Sequence, residues 1–331
     1  MYIQLKTSVF VTRKLPERGL KLIKEHFNVV VWSREFPPTA DEIIDNAKEC
    51  EGIVTLLSDP IDRDLLEQLP KLKVIAQYAV GYDNIDVKYA TRHGIIVTNT
   101  PGVLTETTAD LTWALIMATA RRIVEADKYI REGNWKVAWG PELLLGIDVH
   151  EATLGIVGVG RIGSAVAMRS LGFDMKVIYY NRSKNEFTKR IEAQVGAELV
   201  DLETLFHESD IITVHVPLTR DTIGMIGQRE LSMMKKDAIL INTSRGAVID
   251  ERALYDALKD GKLKAAGLDV FEMEPVSPTN PLLTLDNVVV VPHIGSASLA
   301  TRTTMVKMCA ENLISALSGK KPLNIVNPEA L

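Results

Sequence analysis

The sequence predicts an α/β protein of two doubly wound domains, each built on a parallel sheet. Three observations predict it. Short apolar runs alternate with helical spacings through the first hundred residues. The rhythm then stops at one long apolar helical stretch and resumes beyond it. It resumes on Ala152 to Gly163, where an apolar run meets Gly158-Val-Gly160-Arg-Ile-Gly163 and a helical pattern follows. Strands joined through helices pair in parallel. A length of 331 residues suits two domains with ample core.

The elements follow in order. Val9 to Thr12 reads as a strand, and Glu17 to Phe27 as a helix with Leu20, Ile23 and Phe27 on one face. Val29 to Trp32 is a second strand, broken by Pro37-Pro38, and Thr39 can cap a helix over Ala40 to Lys48. Ile53 to Leu57 and Val74 to Ala79 are further strands, each followed by a helix, over Asp62 to Leu69 and Val87 to Arg92. Ile95 to Thr98 closes the series before Thr100-Pro101-Gly102. Thr105 to about Gly133 has no Pro or Gly inside and reads as one long helix, apolar on most sides from Leu111 to Ala120. Asn134 to Gly146 reads as a loop with aromatic anchors at Trp135 and Trp139.

From Thr153 the alternation returns, with strands expected at Lys176–Tyr180, Glu198–Val200, Ile211–Val216, Ala238–Asn242, Ala266–Val270 and Val288–Val291. A last helix, Thr301 to Ser318, has no strand after it and is expected to return to the first domain.

The glycine turn carries the strongest single signal. Gly158 allows the tight turn, Gly160 lets backbone approach a pyrophosphate, and Gly163 lets helix pack on strand. The amides of Gly160, Arg161 and Ile162 open the helix and face the phosphates. Three glycines at this spacing also arise by chance. The strand before and the helix after make the dinucleotide reading specific.

Ligands of open parallel sheets bind beyond the carboxyl ends of strands. At that edge stand Arg245 after the strand ending at Asn242, Glu274 after Asp269, and His293 after Val291. Reduction of a 2-keto acid needs a cation to anchor the substrate's oxygens, and Arg is always charged and binds in a fork. It needs an acid to protonate the oxygen as hydride arrives, which suits His. A carboxylate beside that histidine fixes its tautomer and favours its protonated form. Arg245 is thus the anchor, His293 the acid/base and Glu274 its orienting partner. Each residue alone has an ordinary structural reading, and only their joint placement favours chemistry. His215 reads as a wall of the cofactor pocket, and His26, His93, His150 and His207 as solvated.

The bulk numbers exclude other classes. Net charge is −5 with no long basic run, which argues against nucleic acid. Cys50 and Cys309 provide neither a disulfide framework nor metal ligands, and no other ligand spacing appears, so no metal is expected. Met1 to Lys6 lacks the apolar core of a signal peptide and no stretch is long enough to span a bilayer, so a cytoplasmic protein without a membrane partner is expected.

Together these residues resemble the D-isomer-specific 2-hydroxyacid dehydrogenases. The likeness covers nearly the whole chain. It rests on Gly158 to Gly163, His215-Val-Pro-Leu218, Asn242-Thr-Ser-Arg-Gly246, Gly267 to Pro275 and Pro292-His-Ile-Gly-Ser-Ala297. The resemblance implies two Rossmann-like domains. A flavodoxin-like substrate domain would comprise 1–101 with 297–331, and a dinucleotide-binding domain 102–296. It assigns catalysis to Arg245, Glu274 and His293. It assigns substrate binding to Leu57, Val80 and Gly81 beside Arg245 and His293, with the amides of Val80 and Gly81 on the carboxylate. To the cofactor it assigns the glycine turn with Val159, Arg161 and Ile162, and Thr108, Asn181, Arg182 and Ser183. His215, Val216, Pro217, Thr222, Thr243, Ser244, Asp269, Ile294 and Gly295 complete that set. It also implies a homodimer through the nucleotide-binding domain and the long helix, with Trp139 reaching a partner's site.

Within the family, Asn99 to Asp110 and Pro292 to Ser298 look most like the archaeal-type glyoxylate/hydroxypyruvate reductases. Phosphoglycerate and phosphite dehydrogenases of the same family stay open as alternatives. So does a nucleotide-sensing corepressor of the C-terminal-binding-protein kind, which the short ends of this chain disfavour. An acid about 20 residues past the glycines normally holds the ribose 2′-hydroxyl of NAD. Here Asn181-Arg182-Ser183-Lys184 follows Tyr180, and Arg182 and Ser183 suit a 2′-phosphate. NADP(H) is therefore favoured, with NAD(H) as the alternative.

Overall fold

The computed structural model describes residues 7–331, so the reading of Met1 to Lys6 falls outside the described residues. Two compact units form. One holds the chain up to Leu104 together with Ser296–Leu331, and the other is Thr105–Gly295.

The first unit has five parallel strands: β1 Ser8–Val11, β2 Asn28–Val31, β3 Gly52–Thr55, β4 Val74–Gln77 and β5 Ile96–Thr98. Their order is β2-β1-β3-β4-β5. The middle strands are buried on both faces, which is why they read as continuous apolar runs. Phe10, Ile53, Ile75 and Val97 pack beneath Ile43, Leu65 and Leu69. Val9, Val11, Val54 and Val74 pack against Leu20, Ile23 and the C-terminal helix Leu299–Leu317 through Met305, Val306 and Leu313. That helix is thus part of the first unit's core. Thr39 caps its helix in a reciprocal box with Glu42, a feature worth about 1 kcal/mol.

The second unit has seven parallel strands in the order β12-β11-β10-β9-β6-β7-β8. They are β6 Thr153–Val157, β7 Lys176–Tyr180, β8 Glu198–Leu199, β9 Ile211–Val214, β10 Ile239–Asn242, β11 Ala265–Leu268 and β12 Val288–Val290. The order runs outward from β6 in one direction and from β9 in the other. The turn after β6 therefore lies at the topological switch point, where open sheets bind ligands. Among the described residues no helix is long and apolar enough to cross a membrane.

The long helix expected over Thr105 to Gly133 is two helices, Thr105–Ala120 and Ile123–Arg131. Arg122 stands between them in the left-handed region at φ 51°. The Ala120 carbonyl, freed from the helix, accepts the Ile147 N–H at 2.9 Å. Gly146 packs so closely there that a Cβ would meet this oxygen at 2.1 Å. A returning backbone thus ends the first helix where propensity alone would have continued it. The loop after it also corrects the expectation of anchors. Trp135 is 53% and Trp139 77% exposed, so neither anchors the loop to the rest of this chain.

Candidate active site

The glycine turn is built by three different constraints. Gly158 has φ 95°, and a Cβ there would lie 2.7 Å from Val216 Cγ1. At Gly163 a Cβ would lie 2.3 Å from the Gly158 carbonyl oxygen, so this residue sets how closely helix and strand approach. At Gly160 a Cβ would meet nothing within 4 Å. The space before Gly160 is the opening a pyrophosphate requires, and the amides of Arg161 and Ile162 begin the helix Arg161–Arg169 facing it. The residues present therefore fit a dinucleotide.

Asn181 follows β7, and its side chain braces the turn. Oδ1 accepts the Val159 N–H at 3.0 Å and Nδ2 donates to the Ser183 carbonyl at 2.7 Å. Asn185, which the sequence reading missed, donates to the Val159 carbonyl at 2.9 Å and caps the next helix. Arg182 and Ser183 are exposed, and Arg182 pairs with Asp221 at 3.1 Å. Lys184 is bound to Glu192 at 2.7 Å. No carboxylate follows β7 directly.

A second loop follows β9. The Thr222 hydroxyl donates to the Pro217 carbonyl at 2.6 Å and accepts the Thr219 N–H at 2.8 Å, closing the loop that carries His215 and Val216. His215 Nε2 is shut from solvent without a hydrogen-bond partner among the described residues. Burial pushes its pKa down to about 3. It is neutral near neutral pH.

Arg245, Glu274 and His293 follow β10, β11 and β12 in turn. Asn242 bends the chain after β10: its Oδ1 accepts the N–H and hydroxyl of Ser244, and its Nδ2 donates to the Arg245 carbonyl at 2.9 Å. The sequence alone gives this bracing residue no role. Gly246 follows, and a Cβ there would lie 1.8 Å from the carbonyl carbon of Phe271. The Arg245 loop thus lies directly on the Glu274 loop. Glu274 Oε1 accepts the Phe271 N–H at 3.1 Å, and Oε2 lies 2.6 Å from His293 Nδ1.

His293 is itself in the left-handed region at φ 52°. Asp269 imposes this bend. Its carboxylate accepts the N–H of Ile294 at 2.6 Å and of Gly295 at 2.9 Å, while its carbonyl accepts the His293 N–H at 2.9 Å. Gly295 in turn accepts the Thr108 hydroxyl at 3.2 Å, and Thr112 links Thr108 to Thr243.

The electrostatics separate the two carboxylates. Burial pushes Asp269 up to about 6, against the pull of the Ile294 N–H and the His293 charge. Burial also acts upward on Glu274. There the hydrogen bond and charge of His293, the Phe271 N–H and the Arg245 charge outweigh it and hold the carboxyl below its ordinary value. The two carboxylates are thus shifted in opposite directions.

Leu57, Val80 and Gly81 belong to the first unit, after the carboxyl ends of β3 and β4. Leu57, Val80 and Gly81 are all half-buried. Among the described residues no group of three His, Cys, Asp or Glu could hold a metal.

Known proteins match this chain over its length. The model of the D-isomer specific 2-hydroxyacid dehydrogenase NAD binding domain matches residues 113–295. A glyoxylate reductase of Korarchaeum cryptofilum is 57% identical over 327 residues, 99% of this chain and 98% of that one. One from Thermococcus litoralis is 52% identical over 330 residues, with 99% and 98% covered. A crystal structure from Thermus thermophilus superposes with a TM-score of 0.90 at 44% identity, covering 97% of this chain and 100% of that one. An NADPH-dependent glyoxylate/hydroxypyruvate reductase of Sinorhizobium meliloti, in complex with NADP and malonate, gives 0.86 at 33%, covering 98% of each. With a switch-point glycine turn, a His–Glu pair at the same sheet edge and relatives matched end to end, the chain is an enzyme of the D-isomer-specific 2-hydroxyacid dehydrogenase family.

Proposed function

We propose that the protein reduces glyoxylate, and hydroxypyruvate with it, to the 2-hydroxy acid, using NADPH in preference to NADH. The observation that carries the chemistry is the 2.6 Å contact between His293 Nδ1 and Glu274 Oε2. It commits Nδ1–H to the carboxylate and leaves Nε2 to hold the proton the substrate needs. When bound, the reduced nicotinamide supplies the hydride. His293 gives its Nε2 proton to the carbonyl oxygen and Glu274 steadies the charged ring. The Arg245 guanidinium anchors the substrate's oxygens, and the amides of Val80 and Gly81 take its carboxylate. In oxidation His293 accepts the hydroxyl proton instead.

The glyoxylate reductases at 57% and 52% identity support the substrate. The absence of an acid directly after β7, with Arg182 and Ser183 in its place, supports NADPH. A run of exposed apolar side chains from Ile123 to Leu145 supports a homodimer formed through this segment. Two buried free cysteines agree with a reducing, cytoplasmic setting.

The experiment is nicotinamide oxidation, read by absorbance, with glyoxylate, hydroxypyruvate and pyruvate, each with NADPH and NADH. Faster turnover of glyoxylate or hydroxypyruvate with NADPH is expected. Cofactor binding without turnover of any keto acid would overturn the reading.

A further inference from the structure

The loop after β4 contains two amides with no hydrogen-bond acceptor among the described residues, those of Val80 and Gly81. Their directions are fixed from behind. The Ala79 carbonyl accepts the Thr100 N–H at 2.8 Å. The Val80 carbonyl accepts Nδ2 of Asn99 at 2.8 Å. Both peptides are trans, and in a trans peptide the N–H points opposite to the C=O. Pinning the Ala79 carbonyl therefore turns the Val80 N–H away from the end of β5. Pinning the Val80 carbonyl does the same for the Gly81 N–H. Two adjacent outward N–H groups form an anion-binding concavity.

We propose that Asn99 is a positioning residue for the substrate carboxylate, acting through the Val80 carbonyl to aim the Gly81 amide. This rests on the function proposed above and adds a residue outside the reacting set. Asn99 is held by its own backbone: its N–H donates to the Asn324 carbonyl at 3.2 Å, and its carbonyl accepts Asn312 Nδ2 at 3.1 Å. The side chain is thus left to the Val80 strut, and a side-chain substitution spares the backbone ties. A second brace works from the far side. Gln77 Nε2 donates to the Gly81 carbonyl at 3.2 Å and to Asn84 Oδ1 at 2.8 Å, and Asn84 in turn donates to the carbonyls of Leu56 and Asp59. The amide pair is therefore held against rotation at both ends.

The test compares the unsubstituted chain with Asn99→Asp, which sets a carboxylate against the Val80 carbonyl, and Asn99→Ser, which is too short to reach it. KM for glyoxylate and the inhibition constant of oxalate should rise together by about tenfold or more, with kcat within about threefold. NADPH affinity, followed by its fluorescence, should not move. Unchanged KM and oxalate inhibition in folded variants would overturn the proposal. So would loss of fold in both, since the side chain would then serve the fold and not the amide. Failure of the underlying function is distinct: the unsubstituted chain would itself neither turn over glyoxylate nor bind oxalate.

Discussion

Glu274 holds His293 with one carboxylate oxygen, at 2.6 Å from Nδ1, while its other oxygen accepts the Phe271 N–H at 3.1 Å. The carboxylate cannot turn toward solvent without giving up a backbone partner, so the histidine's tautomer is set by the fold of its neighbour's loop.

Removing the acid should therefore cost more than loosening it. His293→Ala is expected to lower kcat by on the order of 10²–10⁴-fold, and Glu274→Gln by less, with cofactor affinity kept in both. Steady-state kinetics beside NADPH titration check this. The Glu274 carboxyl lies below its ordinary value of 4.5. Its pairing is therefore complete above that value and is lost only as pH falls through the lower, folded one. The acid limb of activity that Glu274→Gln removes should accordingly lie below the ordinary carboxylate range.

Gly160→Ala and Gly163→Ala should part ways. A methyl at 163 meets the Gly158 carbonyl at 2.3 Å, whereas one at 160 meets only open space. Thermal melts of the ligand-free proteins should show a clear loss for Gly163→Ala. Gly160→Ala should melt as the unsubstituted chain does, yet bind NADPH at least about tenfold more weakly, because the methyl fills the phosphate's approach. Equal melts would remove Gly163 from helix–strand packing.

Arg182 and Asp221 should tune cofactor choice in opposite senses. Both are exposed and face each other at 3.1 Å. Arg182→Ala is expected to weaken NADPH more than NADH, and Asp221→Asn to strengthen NADPH by releasing the guanidinium and removing a nearby negative charge. The ratio of kcat/KM for the two cofactors reads both. A ratio that neither variant moves would detach this pair from the 2′-phosphate.

His215 should leave a signature in stability. Its folded pKa is about 3, against 6.5 for a free imidazole. Between those values the unfolded chain binds a proton the folded one refuses. The group's contribution is thus complete above 6.5 and falls away as pH drops below it. His215→Leu should lessen the decline of Tm from about pH 7 to about pH 4. An identical decline would show that the ring is hydrated.

Much of this was legible in the sequence because buried parallel strands leave a plain record. Ile53 to Thr55 and Ile211 to Val214 are apolar or β-branched throughout, since both faces are covered. The loops that carry Arg245, Glu274 and His293 could be placed because each follows such a run. What failed depends on contacts distant in sequence. The helix break at Arg122 comes from backbone near Gly146. The brace from Asn185 to Val159 spans 26 residues, and no local pattern encodes it. Asp221 stands 39 residues from Arg182, on a different loop. The wrong expectation for Trp135 and Trp139 came from treating aromatic residues as buried by default, when 53% and 77% of their surfaces are open.

The contact at Gly246 has one more consequence. With only 1.8 Å between a Cβ at 246 and the Phe271 carbonyl carbon, the strand ends bearing the cation and the carboxylate are clamped back to back. They behave as a single machined part, and neither can be lengthened or tilted alone. Diversification toward new substrates would then have to proceed by exchanging side chains around this part, while the spacing between the two backbone segments is inherited unchanged.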